Sequence, residues 1–402
     1  FARDEARREV VTRRFHVMIH LNNAVESKKT LGESSFTLGP EATAHDVAAE
    51  LDACIHRARL IHNEPYELPA QETAADVTAV DERVVESPGD VVDGVTGAIR
   101  GAVAAHAGVE LSSSEVFANY AHSHIRNSRG LDVTRNETDL LVEYVLLAKD
   151  PHGEEHEIWQ SPKSRLISSL DVEQQIHRYV GYTQDGLSAQ LPATGAFDVV
   201  LGEEALDTLW DFFVGQSNAA ARYEGWSRMK PGAPVIEDVK GELLTLLSDP
   251  TLPGGLRSQA RDGQGQVCRR TVLIEDNVFR AYIATKKFAD LTGVAATGPM
   301  GNVVVREGKH SYASLLASDR PVYELLRFST LTPNAISGAF SGEIRTGYLH
   351  TNGKRSPIKG GSVSGTMLQA FKDVHFSSEI TQREAYRGPR GVKLAGLTLT
   401  GS

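Results

Sequence analysis

Residues 196–227 read AFDVVLGEEALDTLWDFFVGQSNAAARYEGWS, and the rest of the chain is arranged around them. Phe197, Val199, Val200 and Leu201 make an apolar run short enough for a buried strand, and Gly202 supplies a turn. Leu206, Leu209, Trp210, Phe213 and Val214 then recur at i, i+3, i+4, i+7 and i+8. That spacing predicts one apolar face of an α-helix fading at Gly215. Glu203 and Glu204 stand where a helix N-terminus favours negative charge.

The chain has 402 residues, 41% of them apolar and 23% charged, which predicts a soluble protein of two domains. A net charge of −10 argues against nucleic acid as the main partner, since duplex binding needs clustered Lys and Arg. Cys54 and Cys268 stand far apart with no CxxC, which fits two buried thiols in a reducing compartment. No apolar run approaches the ~18 residues of a membrane span. The opening FARDEARREVVTRR lacks the apolar core of a signal peptide, so a cytoplasmic location is expected. A chain that opens on Phe1 suggests further residues upstream.

Working outward toward the N-terminus, Phe15–Phe36 alternates like strands with a turn near Asn22–Asn23. His16 and His20 share a strand face there, without a visible third ligand for a metal. Residues 43–62 predict a helix capped by Thr43, with Val47, Leu51, Cys54, Ile55 and Ala58 as its stripe. Residues 63–86 read as a loop, and a second helix is expected from Asp90 to Ala107. Strand signals follow, with a turn at Ser128–Gly130 and a strongly apolar strand from Leu140 to Ala148. The string His152–His156 (HGEEH) reads as a solvated hairpin tip, because Gly153 favours a turn. Another helix is expected from Asp171 to Gly181, with Val172, Ile176 and Val180 inward. The Pro/Gly stretch at 191–197 places a domain boundary near 194.

Toward the C-terminus, glycine-rich turns at 253–255, 262–266, 297–302, 337–342, 351–354 and 359–365 separate short apolar runs. This punctuation predicts a curved, mainly antiparallel β-domain, with helices at Asn277–Thr292 and Ser311–Leu316. None of these glycines forms a phosphate loop: GxxxxGK[ST] is missing, and no GxGxxG leads from a strand into a helix.

Several stretches, in order, resemble the TldD/PmbA family. They are RGLDVTRNETDLLVEYVLLAKD, AFDVVLGEEAL, the run 249–267 (DPTLPGGLRSQARDGQGQV), VLIEDNVFRAYIATKKFADLTG with the TG at 297–298, and GAFSGEIRTGYLHTNGKRSPIKGGSVSGTML. The resemblance implies an α+β protein of two domains. An N-terminal α/β sandwich-like domain would occupy 1–194, and a mainly antiparallel β-domain with a few helices 195–402. It further implies a heteromer of a TldD-type and a TldE (PmbA)-type subunit that degrades or matures short or unfolded peptides in the cytoplasm. In such a pair the TldD-type subunit carries zinc on a helical HExxxH and a late cysteine. Its intervening Glu would take a proton from the metal-bound water.

Alignment to that motif sets Asp211 over the first His, Phe212 over the Glu, Gly215 over the family glycine and Gln216 over the second His. No HExxxH occurs elsewhere, and no cysteine stands in GPRGVKLAGLTLTGS at the C-terminus. The C-terminal half holds only three histidines, His310, His350 and His375. The expectation is therefore a TldE-like subunit with no catalytic residue, no metal ligand and no cofactor of its own. Zinc is expected on a HExxxH-bearing partner. Thr297, Gly298, Gly338, Phe340, Ser341, Gly342, Ser364 and Gly365 are the candidates to line a peptide chamber, by extended pairing with Gly-rich strand edges.

Two alternatives stand beside this reading. RDGQG in place of the family's DDEG, and the basic RSPIKGG, would suit a specialised pair that matures a peptide natural-product precursor. Glu115, His122 and His124, near Ser112–Ser114, are the best constellation for an independent hydrolase.

Overall fold

The computed structural model describes residues 6–401; Phe1, on which the expectation of upstream residues rests, lies outside them. β1 (Phe15–Val25) and β2 (Lys28–Leu38) pair antiparallel, and α1 (Ala44–Arg59) packs across them. The turn falls at Glu26–Ser27, both at positive φ (48° and 68°), and not at Asn22–Asn23. Asn23 instead secures the end of α1, where its Nδ2 donates to the carbonyls of Ala58 and Ile61, each at 3.0 Å. Thr43 caps the helix through a reciprocal box with Asp46. Of the expected stripe, only Cys54 and Ala58 are buried; Val47 and Leu51 are 42% and 39% exposed. A two-stranded hairpin is too narrow to cover a full helix face.

The segment read as a loop ends in α2 (Glu82–Glu86), capped by Asp81. α3 (Pro88–Ala104) starts and stops slightly earlier than expected, with Pro88 in its first turn. β3 (Val109–Arg126), β4 (Asp132–Lys149), β5 (Glu155–Gln160) and β6 (Lys163–Ser164) form an antiparallel sheet. On β4, Leu140, Val142, Tyr144, Leu146 and Ala148 are buried at every second position. They meet Val95, Ile99 and Val103 of α3, and Ile176, Tyr179 and Val180 of α4 (Val172–Asp185). This is one helical layer on one sheet, with its own core.

The second core belongs to the C-terminal half. It opens with β7 (Gly195–Gly202), α5 (Ala205–Thr208), α6 (Asp211–Gln216) and α7 (Ala219–Tyr223). Next come β8 (Leu246–Asp249), β9 (Thr271–Glu275), β10 (Val278–Phe279), α8 (Lys286–Thr292), β11 (Asn302–Val305) and α9 (Tyr312–Leu316). The helix expected over 277–292 is thus confined to its last turns, because positive φ at Asp276 and Asn277 makes a hairpin turn before β10. β12 (Val322–Leu331), β13 (Ala339–Thr351), β14 (Lys354–Ile358), β15 (Ser362–Thr366) and α10 (Met367–Ala370) follow. β16 (Val374–Phe376), β17 (Ile380–Arg383), β18 (Tyr386–Pro389) and β19 (Gly391–Thr400) complete the chain.

Pairing runs β12–β7–β19–β15–β13 and returns to β12, so five strands close a ring. A second sheet runs β10–β9–β8–β11–β18–β17. Most pairs are antiparallel, as expected of this half; β7–β12 and β11–β18 are parallel. Trp210, Phe212 and Phe213 lie in the core these sheets share. The chain is therefore an α+β protein with a helix-on-sheet half and a β-rich half. No helix among the described residues is long and apolar enough to cross a membrane.

Candidate functional site

The helix predicted from 203 to 215 is segmented into α5, α6 and α7. Its apolar face is nevertheless buried: Leu206, Leu209, Trp210 and Phe213 are each at most 1% exposed. Asn218, in extended conformation, breaks the run and caps α7 by accepting from the Ala220 N–H.

On α6, Asp211 is half-buried, and burial holds its carboxyl above the ordinary range, with Arg257 opposing. Phe212 is 1% exposed; its ring meets Phe213 edge-on and closes on Gly338, whose φ is +73°. Gln216 is fully buried. Its Nε2 donates to the carbonyls of Ala335 (2.7 Å) and Trp226 (3.2 Å), and its Oε1 accepts from the Arg228 N–H (2.8 Å). The carboxamide is thus committed to three backbone groups. Gly215 lies where a Cβ would come within 2.6 Å of the Ala335 methyl. One half-buried carboxylate, a phenyl ring and a fully bonded carboxamide do not fit a catalytic zinc.

The other candidates divide. The β13–β15 register sets Phe340 opposite Gly365, Ser341 opposite Ser364 and Gly342 opposite Val363, which brings the 338–342 and 364–365 stretches together. Phe340 and Gly342 are buried and Ser341 is exposed. β13 lies between β12 and β15, so it is an interior strand and offers no free edge for an added peptide strand. Thr297 and Gly298 belong to a different place, a buried turn. The N–H groups of both residues donate to the Ala284 carbonyl, and Gly298, at φ +82°, lies against Cys268. Burial pushes the Cys268 thiol up to about 12, and Cys54 is also buried.

The hydrolase constellation does not assemble. Glu115 and His122 lie seven residues apart on β3, about 23 Å along an extended strand. His122 bonds Asn136 at 2.6 Å and His124 bonds Asp132 at 2.6 Å, across the exposed end of the hairpin. His16 is exposed and bonds Thr37, whereas His20 is largely buried beside Glu33, and burial lowers its pKa. In the HGEEH string, His152 is at the hairpin turn, while His156 is on β5 against Gly186.

Glu203 and Glu204 do something the sequence reading missed. Glu203 accepts from Arg178 of α4 (2.9 and 3.0 Å) and from Arg383 of β17 (3.0 Å). Glu204 accepts from Tyr179 (3.1 Å), Gln160 (2.5 Å) and Arg327 (2.8 Å). Asp207 faces Arg383 at 3.3 Å. Of these, Glu204, Asp207, Gln160, Arg327 and Arg383 line a cleft of about 940 Å³ between the two halves, together with Trp159, His156 and Lys359. Their partners are distant in sequence, so nothing local announced them. The positive φ of Glu203 (49°), just past β7, was the one unusual backbone demand in that turn.

Comparison with known proteins agrees with this architecture. Residues 194–401 match the PmbA/TldA metallopeptidase C-terminal domain. An uncharacterized protein of Methanocaldococcus jannaschii is 29% identical over 198 residues, 46% of this chain and 47% of that protein. A metalloprotease TldD homolog of Buchnera aphidicola is 27% identical over 208 residues, 47% of this chain and 42% of the homolog. These alignments span about half the length of either curated relative. The crystal structure of TldE from Thermococcus kodakarensis superposes with a TM-score of 0.78 at 17% identity, covering 97% of this chain and 95% of that one. With its C-terminal half matched end to end and its whole fold shared, the chain belongs to the TldD/PmbA family.

Proposed function

We propose that this chain is a TldE-like, non-catalytic subunit that pairs with a HExxxH-bearing TldD-like subunit in a cytoplasmic peptidase. The observation that carries the reading is Gln216. Its amide is consumed by the backbone of Trp226, Arg228 and Ala335, and Phe212 beside it is core. The helix that would hold zinc in a TldD-type subunit is used here to pack the domain. Of the expected chamber residues, Ser341 is exposed at the start of β13 and is the first candidate to touch peptide. Zinc would be supplied by the partner, and the substrate would be a short or unfolded peptide.

Reconstitution tests the proposal. The purified chain alone should leave unfolded peptides intact. Co-expressed with a HExxxH paralogue it should copurify, and the pair should cleave. Cleavage by the chain alone, or no association with any such paralogue, would overturn the proposal. The arginines in the two departures that suggested natural-product maturation have intrachain roles. Arg261 is buried and bonds the carbonyls of Gly265 and Glu72, and Arg355 stacks on Tyr348 at 3.2 Å. General peptide cleavage is therefore the favoured activity, with a single precursor peptide as the other outcome of the same assay.

A further inference from the structure

Glu242, His310 and His375 are remote from one another in sequence but meet in the fold. One potential ligand atom from each lies within 4.8 Å of the other two, the one such trio of His, Cys, Asp or Glu among the described residues. Three chain segments are laced together to achieve this. The Glu242 N–H donates to the Val374 carbonyl (2.8 Å), and the Ser378 N–H donates to the His310 carbonyl (2.7 Å). Gly308, two residues before His310, passes so close to Phe376 that an added Cβ would lie 2.2 Å from its carbonyl oxygen. The approach therefore requires glycine.

The donors are also oriented. Glu242 accepts the Lys309 N–H on Oε1 (3.0 Å) and the Phe376 N–H on Oε2 (2.7 Å), which fixes the carboxylate and leaves a lone pair on each oxygen. The imidazoles of His310 and His375 stand edge to face, with centroids 5.2 Å apart. His375 Nε2 lies 3.3 Å from an Asp373 carboxylate oxygen. Its Nδ1 is buried and has no hydrogen-bond partner. A carboxylate on one ring nitrogen and an unused second nitrogen is the arrangement that makes a histidine a good metal ligand. A buried polar atom left unpaired otherwise costs stability.

We propose that Glu242, His310 and His375 bind a divalent transition-metal ion of the zinc class. Two neutral imidazoles and one carboxylate are ligands of that class, and hard ions such as magnesium or calcium would want an all-oxygen set. A tetrahedral ion needs donors roughly 3.4 Å apart. The trio, already within 4.8 Å, closes to that by side-chain adjustments of about an ångström, with His310 the exposed member. Three protein ligands leave one position for water. The ion clasps the segments around 242, 310 and 375. It is independent of the peptidase reading, since it uses no residue of α6 and needs no partner subunit.

The test uses the full chain alone, freed of metal by chelation and dialysis. Titration with zinc chloride should show one tight equivalent and raise the thermal midpoint. Cobalt chloride should give the visible d–d bands of a low-coordinate ion. His310→Ala and His375→Ala should each weaken zinc binding at least 100-fold, while His16→Ala, on the separate hairpin, leaves it unchanged. His310 is exposed, so its variant keeps the fold and carries the test if His375→Ala does not. Absence of a tight equivalent in the unsubstituted protein, or undiminished binding in His310→Ala, would overturn the site.

Discussion

Two residues on the cleft wall titrate in opposite senses. Burial pushes the Asp207 carboxyl up to about 6, with Arg383 opposing. Burial pushes His156 down to about 4, helped by Lys359 and Arg327. Between about pH 4 and 6 folded Asp207 keeps a proton that the unfolded chain releases, so its contribution to stability falls as pH rises. Folded His156 has lost a proton that the unfolded chain keeps up to about 6.5, so its contribution rises over nearly the same window. The two offset each other. Asp207→Asn should leave a protein whose stability rises with pH through this window, and His156→Gln one whose stability falls. Denaturant midpoints across that range would show it, and slopes of the same sign in both variants would contradict it. Residues such as these were not legible in the sequence, because a cleft wall is assembled from distant segments. Phe212 and Gln216 stood out in the sequence, because the family motif expects other residues at those positions, but their burial did not.

Legibility also differs between elements. β4 announced itself through its apolar run from Leu140 to Ala148, and α4 through its three inward positions, since each packs against its own sheet or helix layer. The hairpin turn was misplaced because Asn22–Asn23 has turn chemistry, while the true turn, Glu26–Ser27, forces two non-glycine residues to positive φ. Asn23 instead bonds the Ala58 carbonyl in the last turn of α1 and the Ile61 carbonyl just beyond it. Asn23→Ala should therefore cost the hairpin–helix unit about 1–2 kcal/mol, two modest hydrogen bonds. Hydrogen exchange should locate the loss in 15–62, with the β-rich half unaffected. A loss spread evenly over the chain would refute the assignment. The same unit explains the exposed Val47 and Leu51: apolar periodicity names the face of a helix, and only the width of its partner decides how much of that face is covered.

At the scale of the molecule, the two cores contain no common residue, and charge joins them. Glu203 and Glu204 project from the start of the β-rich half toward Arg178, Tyr179 and Gln160 of the other half, with Arg327 and Arg383 behind them and Asp207 on Arg383. The seam is partly buried, so removing one sign leaves the other uncompensated, at a cost that solvent keeps below the roughly 3–5 kcal/mol of a fully buried pair. Two apolar cores coupled by a polar seam unfold together only while the seam holds. The double variant Glu203→Gln, Glu204→Gln takes the carboxylates away from Arg178 and Arg327 and leaves Arg383 only Asp207, without touching either core. Calorimetry should show one transition for the parent and two for the variant, the lower one belonging to the helix-on-sheet half with its smaller core. Proteolysis should shift to the 189–194 connection. If the variant still melts in one step at a lower temperature, the halves are coupled through their apolar surfaces and the seam is incidental. If it splits, the stretch from Glu203 to Gln216 is the hinge point of the molecule: Glu203 and Glu204 carry one half, and α6, buried in the β-rich core, anchors the other.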